Sequence, residues 1–205
     1  MFEMEGIEDG PASGINAALP LILAEAETLY GERKPGYEDV RVEFRDSGAP
    51  CVEFRPGGAT IYVRSEISDT PREAFCECAH EVIHLLSPHY YGADVRTGSV
   101  LEEGLATHFQ AKIYQEWPVP TTEPFNPPPE FEHYRQAWML VESLLTLKPD
   151  AIREIRNVKA TIGLIEEADI VTAVRGISPD LAKALVRPLE TLKQELQQRG
   201  QDDKD

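Results

Sequence analysis

A segment dense in proline restricts the fold of this chain more than any other feature. Residues 117–129, WPVPTTEPFNPPP, contain six prolines. Proline has no backbone N–H and a fixed φ, so it is excluded from helix interiors and from central strands. We therefore expect an extended, polyproline-like connection over residues 117–130. This connection separates a strand-containing part, residues 1–116, from a helical part, residues 131–205, within one compact domain.

Two kinds of hydrophobic periodicity precede this connection. Apolar residues recur at helical spacing from Gly14 to about Gly31, which predicts an opening helix. Between Asp39 and Arg64, apolar and polar residues alternate in three short runs that are separated by DSGAP and RPGG. Such alternation between turn-forming residues is typical of short strands. We expect a small antiparallel sheet here, and hence an α+β fold.

The part after the connection shows apolar residues at helical spacing throughout. Ser178 is an N-cap residue followed by a proline at the first helical position, so it predicts the start of the last helix. Pro188 is expected to kink that helix. The predicted helices span residues 131–147, 150–158, 162–174 and 179–198.

A helix start signal precedes the most informative motif of the chain. Thr70 and Glu73 have the T-x-x-E spacing of a capping box, and Pro71 occupies the first helical position. These residues predict a helix from Pro71 to about Ser87. The sequence HEVIH, an HExxH motif, falls inside this helix.

The HExxH motif consists of His80, Glu81 and His84. Residues at positions i and i+4 of a helix lie on one face about 6 Å apart, so the two histidines can bind the same metal ion. Glu81 is rotated by about 100° from His80. We therefore expect it to lie beside the ion and to act as a general base rather than as a ligand. A catalytic zinc ion needs a third protein ligand and an open position.

Glu103 is our candidate for the third ligand. Ser99 and Glu102 have the spacing of a second capping box, which predicts a helix from Val100 to about Glu116. The box assigns the Glu102 side chain to the amide of Ser99, whereas Glu103 lies on a different face and follows His84 after 18 intervening residues. The small residues that follow Glu103 would let this helix approach the HExxH helix closely. These are Gly104 and Ala106.

HEVIH followed after 18 residues by the glutamate of EGLA resembles the gluzincin metallopeptidases, in particular the short peptidase MA-like domains. The likeness extends from Ala59 to about Leu147. It implies a zincin-like α+β fold, in which the small sheet packs on the HExxH helix and a glutamate helix. It also implies a zinc ion held by His80, His84 and Glu103, and peptide-bond hydrolysis with Glu81 as the base.

The resemblance implies two further features. Tyr134 corresponds in position to the donor that stabilises the oxyanion, with His133, Tyr90 and Tyr91 as alternatives. The strand ATIYVR corresponds to an edge strand that pairs with an extended peptide substrate. The chain lacks the GAMEN segment of the aminopeptidase relatives, which favours an endopeptidase.

Two alternatives stay open. A zinc-binding regulatory protein can keep the ligands without catalysing a reaction, because fold and ligands do not establish turnover. The intracellular repressor-cleaving HExxH peptidases are a second enzyme class to consider. Glu103, Ala106 and Phe109 also fit the E-x-x-A-x-x-F pattern of their helix.

The charge of the chain bears on its partners. Twenty Lys and Arg against 36 Asp and Glu give a net charge of −16, which repels nucleic acids and anionic membrane surfaces. We expect a peptide or protein substrate, with no nucleic acid and no membrane as partner. The chain starts without a basic signal segment and contains an odd number of cysteines, three, so we expect a cytoplasmic protein.

Overall fold

The computed structural model describes residues 11–87, 98–117 and 120–202. The protein belongs to the α+β class: this described part contains eight α-helices and one three-stranded sheet. It divides into two compact units. The first unit comprises residues 11–28, 32–87, 109–117 and 120–124, and the second comprises residues 29–31, 98–108 and 125–202. The domain boundaries expected from the sequence stay a prediction.

Helices dominate both units. The helices are α1 (Pro11–Tyr30), α2 (Pro71–Leu86), α3 (Val100–Glu116), α4 (Glu132–Leu147), α5 (Ala151–Val158), α6 (Glu167–Ala173), α7 (Pro179–Val186) and α8 (Leu189–Asp202). The strands are β1 (Asp39–Arg45), β2 (Cys51–Arg55) and β3 (Gly58–Arg64). No helix formed by the described residues combines the length and the hydropathy that a membrane crossing requires.

The opening helix predicted from the sequence is confirmed as α1. It ends at Tyr30 because Gly31 adopts a φ of 96°, a left-handed conformation that favours glycine. The buried guanidinium of Arg156, on α5, donates hydrogen bonds to the carbonyl oxygens of Tyr30, at 2.8 Å, and of Gly31. These bonds satisfy carbonyl groups that the end of a helix leaves without a partner in the helix.

The sheet has the strand order β1-β3-β2 and is mixed. β2 and β3 form an antiparallel pair, as predicted, but β1 and β3 are parallel. The prediction of a wholly antiparallel sheet is therefore wrong for one of the two pairs. β3 takes the central position because it is the most apolar of the three strands, and its residues 59, 61 and 63 are fully buried. Alternation reveals that strands exist, but it does not reveal which strands are neighbours.

The central position of β3 also overturns the expectation for ATIYVR. Residues 58–62 of β3 pair with β1 on one side and with β2 on the other. Both rows of backbone hydrogen-bonding groups in this stretch are therefore used within the sheet. β3 is not an edge strand, and residues 58–62 cannot accept a peptide strand.

Helix α2 begins at Pro71 and ends at Leu86, as predicted. The expected capping box is not formed. The Thr70 hydroxyl oxygen lies 2.9 Å from the carbonyl oxygen of Ile67 and 3.0 Å from the Glu73 carboxylate, so its single proton is shared between these two acceptors. A 3-10 turn at Ser65–Ile67 brings the Ile67 carbonyl within reach, so the hydroxyl donates there instead of accepting from the helix.

Helix α3 begins at Val100, as predicted, and the Ser99 hydroxyl accepts a hydrogen bond from the Glu102 amide at 3.1 Å. Gly104 has a different role from the one expected. A Cβ atom on Gly104 would lie 2.4 Å from the carbonyl oxygen of Ala137, so the missing side chain lets α3 approach α4. The sequence shows a small residue, but it does not show which helix packs against it.

The proline-rich connection and the last helices follow the prediction in part. Residues 120–128 form neither helix nor strand.

Ser178 caps α7 by accepting a hydrogen bond from the Leu181 amide at 3.1 Å. The helix predicted over residues 162–174 is divided into a 3-10 turn at Ile162–Leu164 and α6. The helix predicted over residues 179–198 is divided into α7 and α8, because the backbone at Arg187 is extended. Pro188 therefore breaks the last helix and does not merely kink it.

Candidate metal centre

A partly buried ion pair between Arg64 and Glu77 fixes α2 against the sheet. The Glu77 side chain, on α2, accepts a hydrogen bond from the Arg64 backbone amide at 3.2 Å, and a second bond from the Arg64 guanidinium. This contact with Glu77 raises the pKa of the Arg64 guanidinium. Glu77 lies one turn before Glu81 in the helix. The position of the HExxH motif relative to β3 is therefore set by main-chain and side-chain contacts together.

His80, Glu81 and His84 form a compact group on α2. Each contributes one ligand atom, and these three atoms all lie within 4.8 Å of one another. The imidazole rings have centroids 5.5 Å apart. Both histidines are half-buried, and Glu81 is only 5% exposed. The helix therefore brings together two nitrogen donors and a carboxylate in a sheltered position.

Gln110 orients one of the two imidazoles. Its Oε1 atom lies 3.3 Å from Nδ1 of His80. An amide oxygen only accepts hydrogen bonds, so Nδ1 donates and carries the ring proton. The lone pair is then on Nε2, which is the arrangement that a metal-binding histidine needs. The sequence analysis missed Gln110, although it follows Glu103 by seven residues and so lies on the same face of α3.

A second contact between α2 and α3 defines how the two helices run in the first unit. The Arg72 guanidinium donates a hydrogen bond to the carbonyl oxygen of Tyr114 and lies 5.3 Å from the centre of the Tyr114 ring. Arg72 contacts Tyr114, and His80, later in α2, contacts Gln110, which comes earlier in α3. The two segments are therefore antiparallel.

The donor set fits a zinc ion. Zinc in proteins is bound by imidazole nitrogen and carboxylate oxygen, and a neutral imidazole that donates its second nitrogen to a neighbour is typical of its ligands. His80 has this arrangement through Gln110. The two imidazoles would hold the ion, and the Glu81 carboxylate beside them would supply a base.

The cysteines near the motif do not resemble metal ligands. Burial raises the pKa of the Cys76 thiol to about 12 and raises that of Cys78 as well, so both stay protonated. A metal-binding cysteine has to lose its proton. Cys51, the first residue of β2, is half-buried, and its pKa is raised chiefly by burial and further by the charge of Glu81. The start of β2 is thus within electrostatic range of Glu81.

The second unit contains Glu103. The Glu103 side chain is half-buried and lies directly against the backbone of Gly98. Its charge also acts on His133, whose pKa is lowered by burial and by Lys193, while Glu190 and Glu103 oppose this change. Glu103 therefore lies within electrostatic range of His133, one of the candidate oxyanion donors. The role of Glu103 as third ligand stays a prediction.

Tyr134 also lies in the second unit. Its ring is 4.6 Å from that of His133 and 6.1 Å from that of Phe131, between ring centres. It is half-buried and packs against a core cluster. This cluster consists of Val100, Ala137, Leu189 and Leu192. The assignment of Tyr134 as oxyanion donor stays a prediction, and the alternatives Tyr90 and Tyr91 lie outside the described residues.

No known protein family, curated protein or solved structure gives a significant match to this chain. The resemblance to gluzincins therefore rests on the residues of HEVIH and EGLA. The argument for a function has to come from the geometry around His80, Glu81 and His84.

Proposed function

We propose that this protein is a zinc-dependent endopeptidase of the gluzincin type, located in the cytoplasm. The observation that carries the proposal is the group formed by His80, Glu81 and His84, whose ligand atoms lie within 4.8 Å of one another on one helix. Two imidazoles beside a buried carboxylate are the arrangement that metal-assisted hydrolysis uses. The three free cysteines suit a reducing compartment.

Each side chain has a proposed role in this reaction. Zinc, when bound, supplies Lewis acidity, which polarises a peptide carbonyl and makes a water molecule more acidic. Glu81 accepts a proton from the attacking water and delivers it to the amine nitrogen that leaves when the C–N bond breaks. Because Glu81 is almost fully buried, its carboxylate is held in place and is poorly solvated. Tyr134 is the proposed donor to the oxyanion.

Glu103 is the proposed third ligand. Its support is the spacing in the sequence together with the course of α3. Gln110, which contacts His80, and Glu103 are separated by two helical turns and lie on the same face of α3.

The proposed substrate is an extended peptide that adds to the sheet. β3 is already paired on both sides, so the peptide has to use another strand. No strand among the described residues pairs with the outer edge of β2, and Cys51 at its start lies within electrostatic range of Glu81. Main-chain pairing at this edge holds a peptide without requiring one particular sequence.

The experiment is digestion of a peptide library by the zinc-loaded protein, with and without a chelator. We expect cleavage that the chelator abolishes and that added zinc restores. Glu81→Gln should keep the zinc ion and lose cleavage, because the amide cannot accept the proton. Glu116→Gln, which changes an exposed glutamate at the end of α3, is the matched control and should cleave like the parent.

Each outcome of this experiment distinguishes the alternatives. Zinc binding without cleavage of any peptide would support the zinc-binding regulatory protein. Cleavage by Glu81→Gln at the parent rate would remove Glu81 from the mechanism. A parent protein that does not bind zinc would overturn the proposal as a whole.

A further inference from the structure

The side chain of Asn16, on α1, occupies the outer edge of β1. Its Nδ2 atom donates a hydrogen bond to the carbonyl oxygen of Val42 at 2.9 Å, and its Oδ1 atom accepts one from the Val42 amide at 2.8 Å. A neighbouring antiparallel strand would exchange the same two kinds of bond with Val42. The Asn16 amide therefore takes the place of one residue of a further strand, and both residues belong to the first unit.

These two bonds show which backbone groups of β1 face away from the sheet. β1 has β3 on one side only, because the strand order is β1-β3-β2. Alternate residues of a strand direct their backbone groups to the same edge. Since both backbone groups of Val42 are bonded to Asn16, those of Val40 and Phe44 face outward as well. Asn16 therefore blocks the middle one of three outward-facing residues.

The sequence of β1 is complementary to itself when two copies of the strand run antiparallel. The strand reads DVRVEFR, with Val42 at its centre. In a symmetric pairing about Val42, each residue before the centre lies opposite the residue at the same distance after it. The pairs that result join opposite charges or apolar side chains: Arg41 with Glu43, Val40 with Phe44, and Asp39 with Arg45. Such pairs stabilise antiparallel strands when they lie directly opposite each other.

The two central charges of β1 are accessible for such a contact. The side chains of Arg41 and Glu43 are 56% and 43% exposed, and they form an ion pair with each other at 3.0 Å. An exposed ion pair contributes little to stability, so its exchange for a pair with another chain is not opposed strongly. Asp39 and Arg45, at the ends of β1, already form ion pairs with residues of β2. The central pair of charges therefore sets the register.

We propose that the outer edge of β1 is a self-association edge, that its partner is β1 of a second copy of this chain, and that Asn16 keeps it closed. An unpaired edge strand is a template for pairing with another chain. While Asn16 holds both backbone groups of Val42, the centre of the self-complementary stretch cannot pair. The inference depends neither on zinc nor on the proposed peptidase activity, and it concerns the opposite edge of the sheet from β2.

Sedimentation equilibrium of the zinc-free full chain tests whether Asn16 closes the edge. Asn16→Ala removes both bonds, and it should fold because Asn16 is half-buried and alanine is the better helix former. We expect Asn16→Ala to dimerise at least about 10-fold more tightly than the parent. Asn16→Ser has a side chain too short to bond both groups and should behave in the same way. Thr28→Ala, at an exposed position of α1, is the control and should sediment like the parent.

Charge reversal tests the partner and the register. In the Asn16→Ala background, Arg41→Glu should weaken the dimer about 10-fold, because a symmetric dimer then contains two pairs of like charges opposite each other. Addition of Glu43→Arg should restore the dimer, since each pair is then reversed and not lost. In the parent, Arg41→Glu should leave the mass unchanged.

Three results would overturn the inference. The first is an equal mass for Asn16→Ala, Asn16→Ser and the parent at the same concentrations. The second is a dimer of Asn16→Ala that Arg41→Glu leaves intact, because that dimer would use another surface or another register. The third is a parent dimer that Arg41→Glu dissociates, because the edge would then be open although Asn16 is present.

Discussion

The Nδ1 atom of His80 lies 3.3 Å from Oε1 of Gln110, so a side chain of α3 holds an imidazole of α2. This contact restricts rotation of the ring and fixes which nitrogen carries the proton. Partners of this kind raise the affinity of a histidine for a metal ion, although they do not touch the ion.

Removal of the Gln110 amide should therefore weaken metal binding. We expect Gln110→Leu to lower zinc affinity about 10- to 100-fold, because Nδ1 loses its acceptor and the ring is less well oriented. Gln110→Glu keeps an acceptor and should retain most of the affinity. Gln115→Leu, an exposed position of the same helix, serves as the control. Isothermal titration with zinc measures all four proteins, and equal affinities in Gln110→Leu and the parent would show that the contact is irrelevant to the metal.

The two motif histidines should both be required for zinc. His80→Ala and His84→Ala each leave the ion with too few protein ligands, so both variants should lose it. His108→Ala tests whether any histidine has this effect, since the His108 ring contacts Glu142 at 2.7 Å in the second unit. It should retain one zinc ion per chain. Metal analysis after dialysis gives the answer, and full zinc content in His80→Ala would contradict the assignment.

Glu102 and Glu103 are adjacent, but their substitutions should have different effects. Glu102→Ala should lower the free energy of unfolding by roughly 0.5 to 2 kcal/mol, the scale of a lost capping interaction, and should leave the zinc content unchanged. Glu103→Ala should greatly weaken zinc binding, because two histidines alone hold the ion poorly. Zinc titrations and thermal melts with and without a chelator compare the two variants. If Glu102→Ala were the variant that loses zinc, Glu103 would not be the third ligand.

The buried thiol of Cys76 predicts how the stability of the zinc-free protein depends on pH. Burial raises the pKa of Cys76 from 9.0 to about 12 in the folded state. Above pH 9 the unfolded state therefore loses a proton that the folded state keeps. The free energy of unfolding should fall as the pH rises from about 9 towards 12, by at most about 1.4 kcal/mol per pH unit for this thiol.

Urea unfolding of the parent and of Cys76→Ala at a series of pH values isolates this effect. The difference between the two proteins should be constant from pH 6 to 8, because the thiol is protonated in both states there. Above pH 9 the free energy of unfolding of the parent should fall relative to that of Cys76→Ala. A difference that stays the same at pH 10.5 would mean that Cys76 is less buried than the structure shows.

The sequence predicts those features that depend on neighbouring residues. Pro71 and Ser99 mark the starts of α2 and α3 because a helix start is determined within one turn. The order of the strands was not predictable in this way, because the pairing of β1 with β3 depends on which strand is buried on both faces. Turn signals between consecutive strands indicate only that the chain reverses direction.

The candidate site shows the same division. HExxH is local, so the grouping of His80 with His84 follows from helical geometry alone. Gln110 was not recognised, because its contact with His80 depends on how α3 lies against α2. The position of Gln110 in the sequence indicates a contact with His80 only when it is known which residues of α2 and α3 lie side by side.

Arg156 completes the hydrogen bonding at the end of α1, although about 125 residues separate it from Tyr30 and Gly31. During synthesis at roughly 5 to 20 residues per second, Arg156 follows Tyr30 by about 6 to 25 seconds. The carbonyl groups of Tyr30 and Gly31 therefore have no hydrogen bond from Arg156 until residue 156 has been synthesised. Any fragment that ends before residue 156 lacks these bonds, so the end of the first helix should be less stable in such a fragment than in the full chain.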